Sequence, residues 1–378
     1  MAAPVTLAAF CTSRPPDQVS PLRPGEGRQH RRVHRRPAAR LPEARIRALI
    51  KSAGLSREEQ QKIRLLTAAR KGNREQLACG IRAARGAIIA TTDDHTGWPP
   101  TYLRHMLPCF EAAHVGAAGP PIGVHVPAER QSTDVITPWE AAAPRTAFRR
   151  NPGLKAAYAA ARWCWVLAGP AALYRAEILR DECFLDVYTH DYWLGRYKLE
   201  VGEDTFVSHW LQRHGWIIAI QALPETEVTR TVRATSVFVT QMFRWERSTV
   251  QSFLRTLREV PQIWKSPLFA GRKTIERVLR PILTIIHILA WIIPLRTYPV
   301  FTVLLLLHYI WKTVPSYAEF MGQHSYMWRQ LWALVLVGYV YIVQDIWCWA
   351  TLHNTSWEPR LTEDETAGVV ASADTPPS

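Results

Sequence analysis

Gly86-Ala87-Ile88-Ile89-Ala90-Thr91-Thr92 is a short, apolar, β-prone run, and it ends on Asp93-Asp94-His95-Thr96-Gly97-Trp98-Pro99-Pro100. This junction constrains the chain more than any other stretch. The run has the length of a buried strand. Trp98-Pro99-Pro100 forces a turn, and a helical pattern follows in Tyr102, Leu103, Met106, Leu107 and Phe110. Strand, acidic turn and helix in that order predict an α/β sheet, in which ligands sit beyond the carboxyl ends of the strands. Neighbouring carboxylates repel each other and stabilise little by themselves. They suit a divalent cation carrying a diphosphate. A solvated Asp-Asp turn is the plain alternative.

With 378 residues the chain is long enough for one sizeable domain and an appendage. Its formal net charge of +14, with a pI of about 9.8, suits anionic partners: nucleic acid, acidic lipid or phosphorylated substrates. The six cysteines (11, 79, 109, 164, 183 and 348) form no Cys-x-x-Cys pair and have no His at zinc spacing. They read as reduced thiols, five of them in a cytosolic domain and one in a membrane helix.

Residues 1–45 hold Pro, Arg and His with little apolar periodicity, and Arg28–Arg36 is a basic run. A disordered basic tail is the expectation there. Residues 46–245 read as an α/β domain. Gly72-Asn73 is a helix start that could face a phosphate. Residues 126–160 show no clear pattern. Trp163–Arg175 reads as a strand, a Gly169-Pro170 turn and a helix from about Ala171. Gly202-Glu203-Asp204 opens a helix whose apolar face is Phe206, Val207, Trp210 and Leu211, and Trp216–Ala222 is the next strand. Val237–Trp245 leads into a basic amphipathic stretch, and residues 246–275 are expected at a membrane surface.

Residues 276–352 change character. Ile282–Leu295, Val300–Trp311 and Leu331–Trp349 are apolar, and with their aromatic flanks they approach the ~20 residues that span a bilayer. About three transmembrane helices are expected. Arg272, Lys273, Arg277 and Arg280 precede the first, and acidic residues follow the third. The positive-inside rule then puts the main domain in the cytosol and residues 353–378 outside, as a disordered extracellular tail. Asn354-Thr355-Ser356 fits the glycosylation pattern on that side.

Three features stand in order: Asp93-Asp94-His95, Gly202-Glu203-Asp204 and Gln241-x-x-Arg244-Trp245. Together with Lys71-Gly72-Asn73-Arg74-Glu75-Gln76, Ala168-Gly169-Pro170 and Trp193–Leu199, and with membrane segments following, they make the chain resemble the processive family 2 glycosyltransferases. These include hyaluronan, chitin and cellulose synthases. The likeness is greatest to fungal polysaccharide synthases that look like hyaluronan synthase, and it runs from about Arg70 to the C-terminal helices.

The resemblance implies a GT-A-like domain, N-terminally incomplete, followed by C-terminal transmembrane helices. It implies inverting transfer of a sugar from a UDP-sugar donor to a polysaccharide acceptor. Asp204 matches the general base and Glu203 its neighbour. Lys71, Arg74, Asp93, Asp94, Gln241 and Arg244 match donor-binding positions. Trp245 matches the acceptor position, and Asp93 and His95 the metal-binding pair for Mn2+ or Mg2+.

Two departures stand out. The family's metal motif ends in Asp where this chain has His95; histidine favours Mn2+ over Mg2+, unless Asp94 takes over or metal binding is weaker. No β-α-β unit or membrane helix is legible before Arg70, as if the front of the nucleotide-binding half were missing. The alternative function is therefore a truncated, inactive membrane scaffold or partner subunit of a polysaccharide synthase. The other expected partner is the lipid bilayer, with a homo-oligomer left open. A nucleic-acid role rests on charge alone and does not account for the apolar segments, so no nucleic-acid partner is expected. The expected location is the plasma membrane, as an integral protein with a cytosolic catalytic domain.

Overall fold

A computed structural model describes residues 5–8, 11–13, 43–70, 72–93, 95–232 and 234–355. They fall into two compact units, one from residues 1–9 and 81–355, the other from residues 10–80.

The larger unit is built on a five-stranded sheet in the order β1 (Val5–Ala8), β4 (Ile88–Thr92), β8 (Ala171–Arg175), β6 (Val115–Gly119) and β11 (Ile217–Ile220). β1 lies parallel to β4, and β6 parallel to β11; β8 runs antiparallel to both of its neighbours. The carboxyl ends of β4, β6 and β11 therefore share an edge with the start of β8, where Thr92 faces Ala171. Ile88, Ile89, Ala90, all of β6 and Ala171–Tyr174 are buried. Such unbroken apolar runs suit strands covered on both faces. Gly116 lets a helix approach closely: a Cβ there would lie 2.9 Å from the side chains of Leu211 and Trp216.

A second sheet orders β5 (Thr96–Gly97), β12 (Val228–Thr231) and β7 (Ile122–His125), with β12 antiparallel to β5 and parallel to β7. A small hairpin joins β9 (Tyr192–Trp193) to β10 (Tyr197–Lys198). Its turn residues Leu194 and Gly195 both have positive φ, as the twist of a tight hairpin requires. In the other unit, β2 (Cys11–Ser13) pairs in parallel with β3 (Leu66–Ala68), and α1 (Glu43–Ser52) and α2 (Arg57–Lys62) lie between them in sequence. α3 (Asn73–Ala83) follows, starting where Gly72-Asn73 predicts.

α4 (Tyr102–Met106) packs Tyr102 and Met106 into the core under the sheet, and the Tyr102 hydroxyl donates to the Ala171 carbonyl at 3.0 Å. α5 (Pro138–Ala161) opens with a Thr137–Glu140 capping box. α6 (Ala176–Leu179) and α7 (Glu182–Thr189) follow β8, and α8 (Glu203–Arg213) precedes β11. α9 (Val237–Glu259) runs unbroken through residues 245 and 246.

After α10 (Arg272–Val278) come α11 (Arg280–Thr297) and α12 (Pro299–Gln323), then α13 (Leu331–Val337) and α14 (Val340–Ala350). Large apolar side chains stand exposed along α11 and α12, among them Ile286, Ile293, Leu304 and Leu307. Among the described residues α11 alone is long and apolar enough to cross a membrane. The stretch Ser325–Val337 with α14 passes only as a pair bent by 45°. Val300–Trp311 lies in a helix that does not pass, so the expectation of about three spans is not met by length and composition.

Four other expectations change. Residues 1–45 contain two strands, β1 and β2, each paired in parallel, so strands do precede Arg70. Ala171–Arg175 is a central strand, not a helix start, because Ala-Ala-Leu-Tyr bonds to β4 and β6 on both sides. The unpatterned stretch 126–160 holds all but the last residue of the 24-residue α5, whose buried face is mostly alanine.

Finally, the chain beyond α14 returns to the larger unit. The Thr355 hydroxyl donates to the Lys198 carbonyl at 2.7 Å, the Glu200 amide donates to the Thr355 carbonyl at 3.3 Å, and Gln251 donates to the Leu352 carbonyl at 2.7 Å. Residues 352–355 thus lie on the unit that carries Asp204. Residues 353–355 are therefore packed on that unit rather than part of a separate tail. Residues 356–378 and the basic run Arg28–Arg36 lie outside the described residues.

Candidate active site

The sheet edge where β4 ends and β8 begins gathers the chemistry. Thr91, the second-last residue of β4, donates through its hydroxyl to the Gly169 carbonyl at 3.1 Å, which fixes the Ala168-Gly169-Pro170 loop against the strand end. α8 starts across that loop. Gly202 takes φ +72° as its N-cap, a conformation glycine adopts without strain, and its α-carbon lies against Ser248 of α9. A Cβ on Gly169 would sit 3.7 Å from the Asp204 Cβ. Ser208, one turn on, donates to the Asp204 carbonyl at 2.8 Å and accepts from the Leu167 amide at 2.9 Å. Helix and loop are thereby joined through backbone groups.

Asp204 is half-buried. Its carboxylate accepts from the Thr205 amide at 2.7 Å, from the Thr205 hydroxyl at 3.3 Å and from the Gly169 amide. Desolvation nevertheless pushes its pKa above the ordinary carboxylate range, against those hydrogen bonds, and the negative charge of Asp93 acts in the same direction. Tyr174 of β8 is pushed up by burial first and by the charges of Asp204 and Glu203, while its hydrogen bond to Thr91 opposes the rise. Asp93, Glu203, Asp204, Thr91 and Tyr174 therefore form one electrostatic cluster.

Beyond β4, the Asp93 carboxylate lies 4.0 Å from the His95 ring, with 40% and 18% of the two side chains exposed. The chain then enters β5, and the Thr231 amide of β12 donates to the His95 carbonyl at 3.1 Å. Arg230 of β12 sits opposite Thr96 and lays its guanidinium 4.6 Å over the Trp245 ring. Gln241, Arg244 and Trp245 share one face of α9, at i, i+3 and i+4, all half-buried. The Arg230 stack thus ties the Gln-x-x-Arg-Trp helix to the acidic turn.

Asp93 and His95 offer an oxygen and a nitrogen from one turn. Among the described residues no three His, Cys, Asp or Glu converge on a closed metal centre. Two protein ligands suit a divalent ion that completes its coordination with phosphate oxygens and water. Lys71 and Asp94 lie outside the described residues. Arg74 belongs to the smaller unit, where it is buried. Asn354 is exposed at the end of the returning segment.

Sequence reasoning missed Thr91, the Gly169 amide, Ser208 and Arg230. Ser208 has a local signal, four residues after Asp204. Arg230 has none, because its neighbours come through the β12–β5 pairing. Arg175 serves the fold: its guanidinium donates to the carbonyls of Phe110, Ala112 and Val115 at 2.7–3.0 Å.

A family model described as "Glycosyltransferase like family 2" matches residues 28–248. The chain is 32% identical over 327 residues to the NDP-glycosyltransferase ltbB of Aspergillus luteorubrus, covering 85% of this chain and 79% of that protein. It is 26% identical over 219 residues to a type 2 glycosyltransferase of Zymoseptoria tritici, covering 58% of this chain and 45% of that one. The chain thus spans less than half the length of this second relative. Among solved structures it is similar, at 17% identity and a TM-score of 0.47, to the mannosyltransferase PcManGT from Pyrobaculum calidifontis in complex with GDP-Man and Mn2+. That likeness covers 80% of this chain and 75% of the other.

Proposed function

The chain belongs to glycosyltransferase-like family 2, and on that premise we propose that it is a membrane-bound, inverting enzyme with a GT-A-like domain. It transfers a sugar from a UDP-sugar to a growing polysaccharide. Asp204 takes the proton of the acceptor hydroxyl as that oxygen attacks the anomeric carbon. The bond from the anomeric carbon to the nucleotide breaks, and the diphosphate leaves with the electron pair. A carboxylate held above its usual pKa is a stronger base for this task. The carrying observation is Asp204 itself: a desolvated carboxylate, oriented by Thr205 and Gly169, beside the acidic turn.

Glu203 lies next to the base in the same cluster. Gln241 and Arg244 face the donor diphosphate from α9, with Arg suited to phosphate by its planar set of donors. Trp245, held by Arg230 on one face, offers the other to the acceptor sugar. Asp93 and His95, with Asp94 beside them, would hold Mn2+ or Mg2+, which when bound neutralises charge on the departing diphosphate. The exposed apolar helices α11 and α12 support contact with lipid, with the catalytic unit on the cytosolic side.

The test is nucleotide release by the purified protein in proteoliposomes. UDP-glucose, UDP-N-acetylglucosamine and UDP-glucuronate are compared with Mn2+ and with Mg2+. Metal-dependent release that Asp204→Asn abolishes is the expected result. Folded protein that releases nucleotide from no donor would overturn the reading in favour of a non-catalytic subunit.

A further inference from the structure

α11 and α12 are joined at Tyr298 and pack against each other as a hairpin. At 1.5 Å per residue, α11 reaches roughly 27 Å, close to the thickness of a hydrocarbon core. Both feet of the hairpin are fixed to the catalytic unit. At the first, Arg277 is paired with Glu246 of α9, and Arg280 lies 2.8 Å from Asp345. At the second, Arg145 of α5 donates to the Ser316 carbonyl and hydroxyl at 3.0 and 3.1 Å. The same guanidinium lies 4.2 Å over the Tyr317 ring, and Phe320 is fully buried.

The last two helices behave differently. Gln330, just before α13, donates to the Ile136 carbonyl at 3.1 Å, and Gln344 of α14 donates to the Met242 carbonyl at 2.9 Å. Thr355 then reaches Lys198. The stretch from 330 to 355 is held to the catalytic unit at its start, middle and end. Trp332, Tyr339 and Trp347 of this stretch, and Trp328 just before it, are about half exposed. Exposed Trp and Tyr suit the headgroup level of a bilayer.

We propose that α11 and α12 alone enter the bilayer, as a hairpin inserted from the catalytic side: α12 is less apolar than a lone span, but it packs on α11 and exposes Leu304, Leu305, Leu306 and Leu307, whereas the bent pair of helices that follows is pinned to α5 and α9. α13 and α14 lie in the membrane interface beneath α5 and α9, and Asn354 stays on the catalytic side. The proposal rests on the membrane reading above. A hydrogen bond near 3 Å cannot join groups separated by a ~30 Å apolar core, so the feet and residues 352–355 share one side. The basic residues Arg272, Lys273, Arg277 and Arg280 gather at the first foot, as for a cytosolic flank.

The experiment uses the full chain in sealed microsomes. Native Cys183, exposed on the catalytic unit, marks that side. Thr297→Cys at the hairpin tip and Asn354→Cys are made separately in a Cys183→Ser background. An impermeant, mass-tagged maleimide is added before and after permeabilisation. Asn354→Cys is expected to label on the same side as Cys183 and Thr297→Cys on the opposite side, with no glycan on Asn354 of the parent chain. Asn354→Cys opposite Cys183, or Thr297→Cys on its side, in protein that resists alkaline carbonate, overturns the hairpin while leaving the membrane reading. Release of the protein by carbonate overturns both.

Discussion

Around Asp204, polar groups lie inside protein and are met by other polar groups: Thr205, Gly169, Thr91 and Tyr174 within one sheet edge. Along α11 and α12 the reverse holds, with Ile, Leu and Phe side chains outside the core and polar contacts gathered at the feet. The first arrangement strengthens electrostatics by excluding water, since a desolvated charge interacts more strongly than a hydrated one. The second is costly in water and inexpensive in lipid. The buried polar site and the exposed apolar helices are thus opposite in character, and changes in each should be felt in different assays.

The largest effect is expected at the base. Asp204→Asn keeps the shape and removes the proton acceptor, so turnover should fall about 1,000-fold, within the usual range for a general base. Nucleotide-sugar binding, read by calorimetry, should stay within a few-fold. Unchanged turnover would remove Asp204 from the chemistry.

A second test concerns buried polarity next to the site. His209 of α8 lies within 3.0 Å of the Ser252 hydroxyl and 2.7 Å of the Thr256 hydroxyl, and burial lowers its pKa to about 4. The unfolded ring takes up its proton near 6.5, before the folded one does. Stability is therefore full above about pH 6.5 and falls as pH drops towards 4, by about 3 kcal/mol in all. Thermal melts of detergent-purified protein at pH 7 and pH 5 should show this fall, and His209→Asn should flatten it. An equal pH response in the variant would assign the effect to other groups.

The hairpin should answer oppositely. Leu305→Arg places a charge on an exposed apolar face. In detergent its melting temperature should match wild type, because surface changes cost within about 0.5 kcal/mol. In membranes the same change costs roughly 2.5 kcal/mol of insertion, and the carbonate-resistant fraction should drop. A large loss of thermal stability in detergent would mean that Leu305 packs against protein. The smallest effect is expected at the rim of the site: Arg230→Ala removes the cation over Trp245, worth about 0.5–1 kcal/mol, and should raise the acceptor KM two- to fivefold with kcat nearly unchanged.

What the sequence made legible were elements whose signals are local. The run into Asp93 is a strand, Gly202 opens α8, and Gln241–Trp245 lies on an amphipathic helix. β8 was misread because Ala-Ala-Leu-Tyr-Arg is short and apolar without periodicity, so only its pairing with β4 and β6 decides its state. α5 was missed although Thr137-Pro138-Trp139-Glu140 is a capping signature. Pro144 and Pro152 inside the helix, and an alanine-rich buried face, mask the apolar stripe. The Trp245–Arg230 stack and the Thr355–Lys198 bond join residues far apart in sequence, and no window contains either pair. Charge counting does not register where Gln344 or Thr355 finds a carbonyl.

The Thr355–Lys198 hydrogen bond spans 157 positions of sequence. A ribosome makes Lys198 long before Thr355, and the apolar helices emerge in between. The β9–β10 hairpin, a few residues ahead of Asp204, therefore gains its last partner only after α11 and α12 have been synthesised. Biogenesis then has a built-in order: a chain released early, or stalled after the hairpin, lacks the clasp on the segment that leads into Asp204.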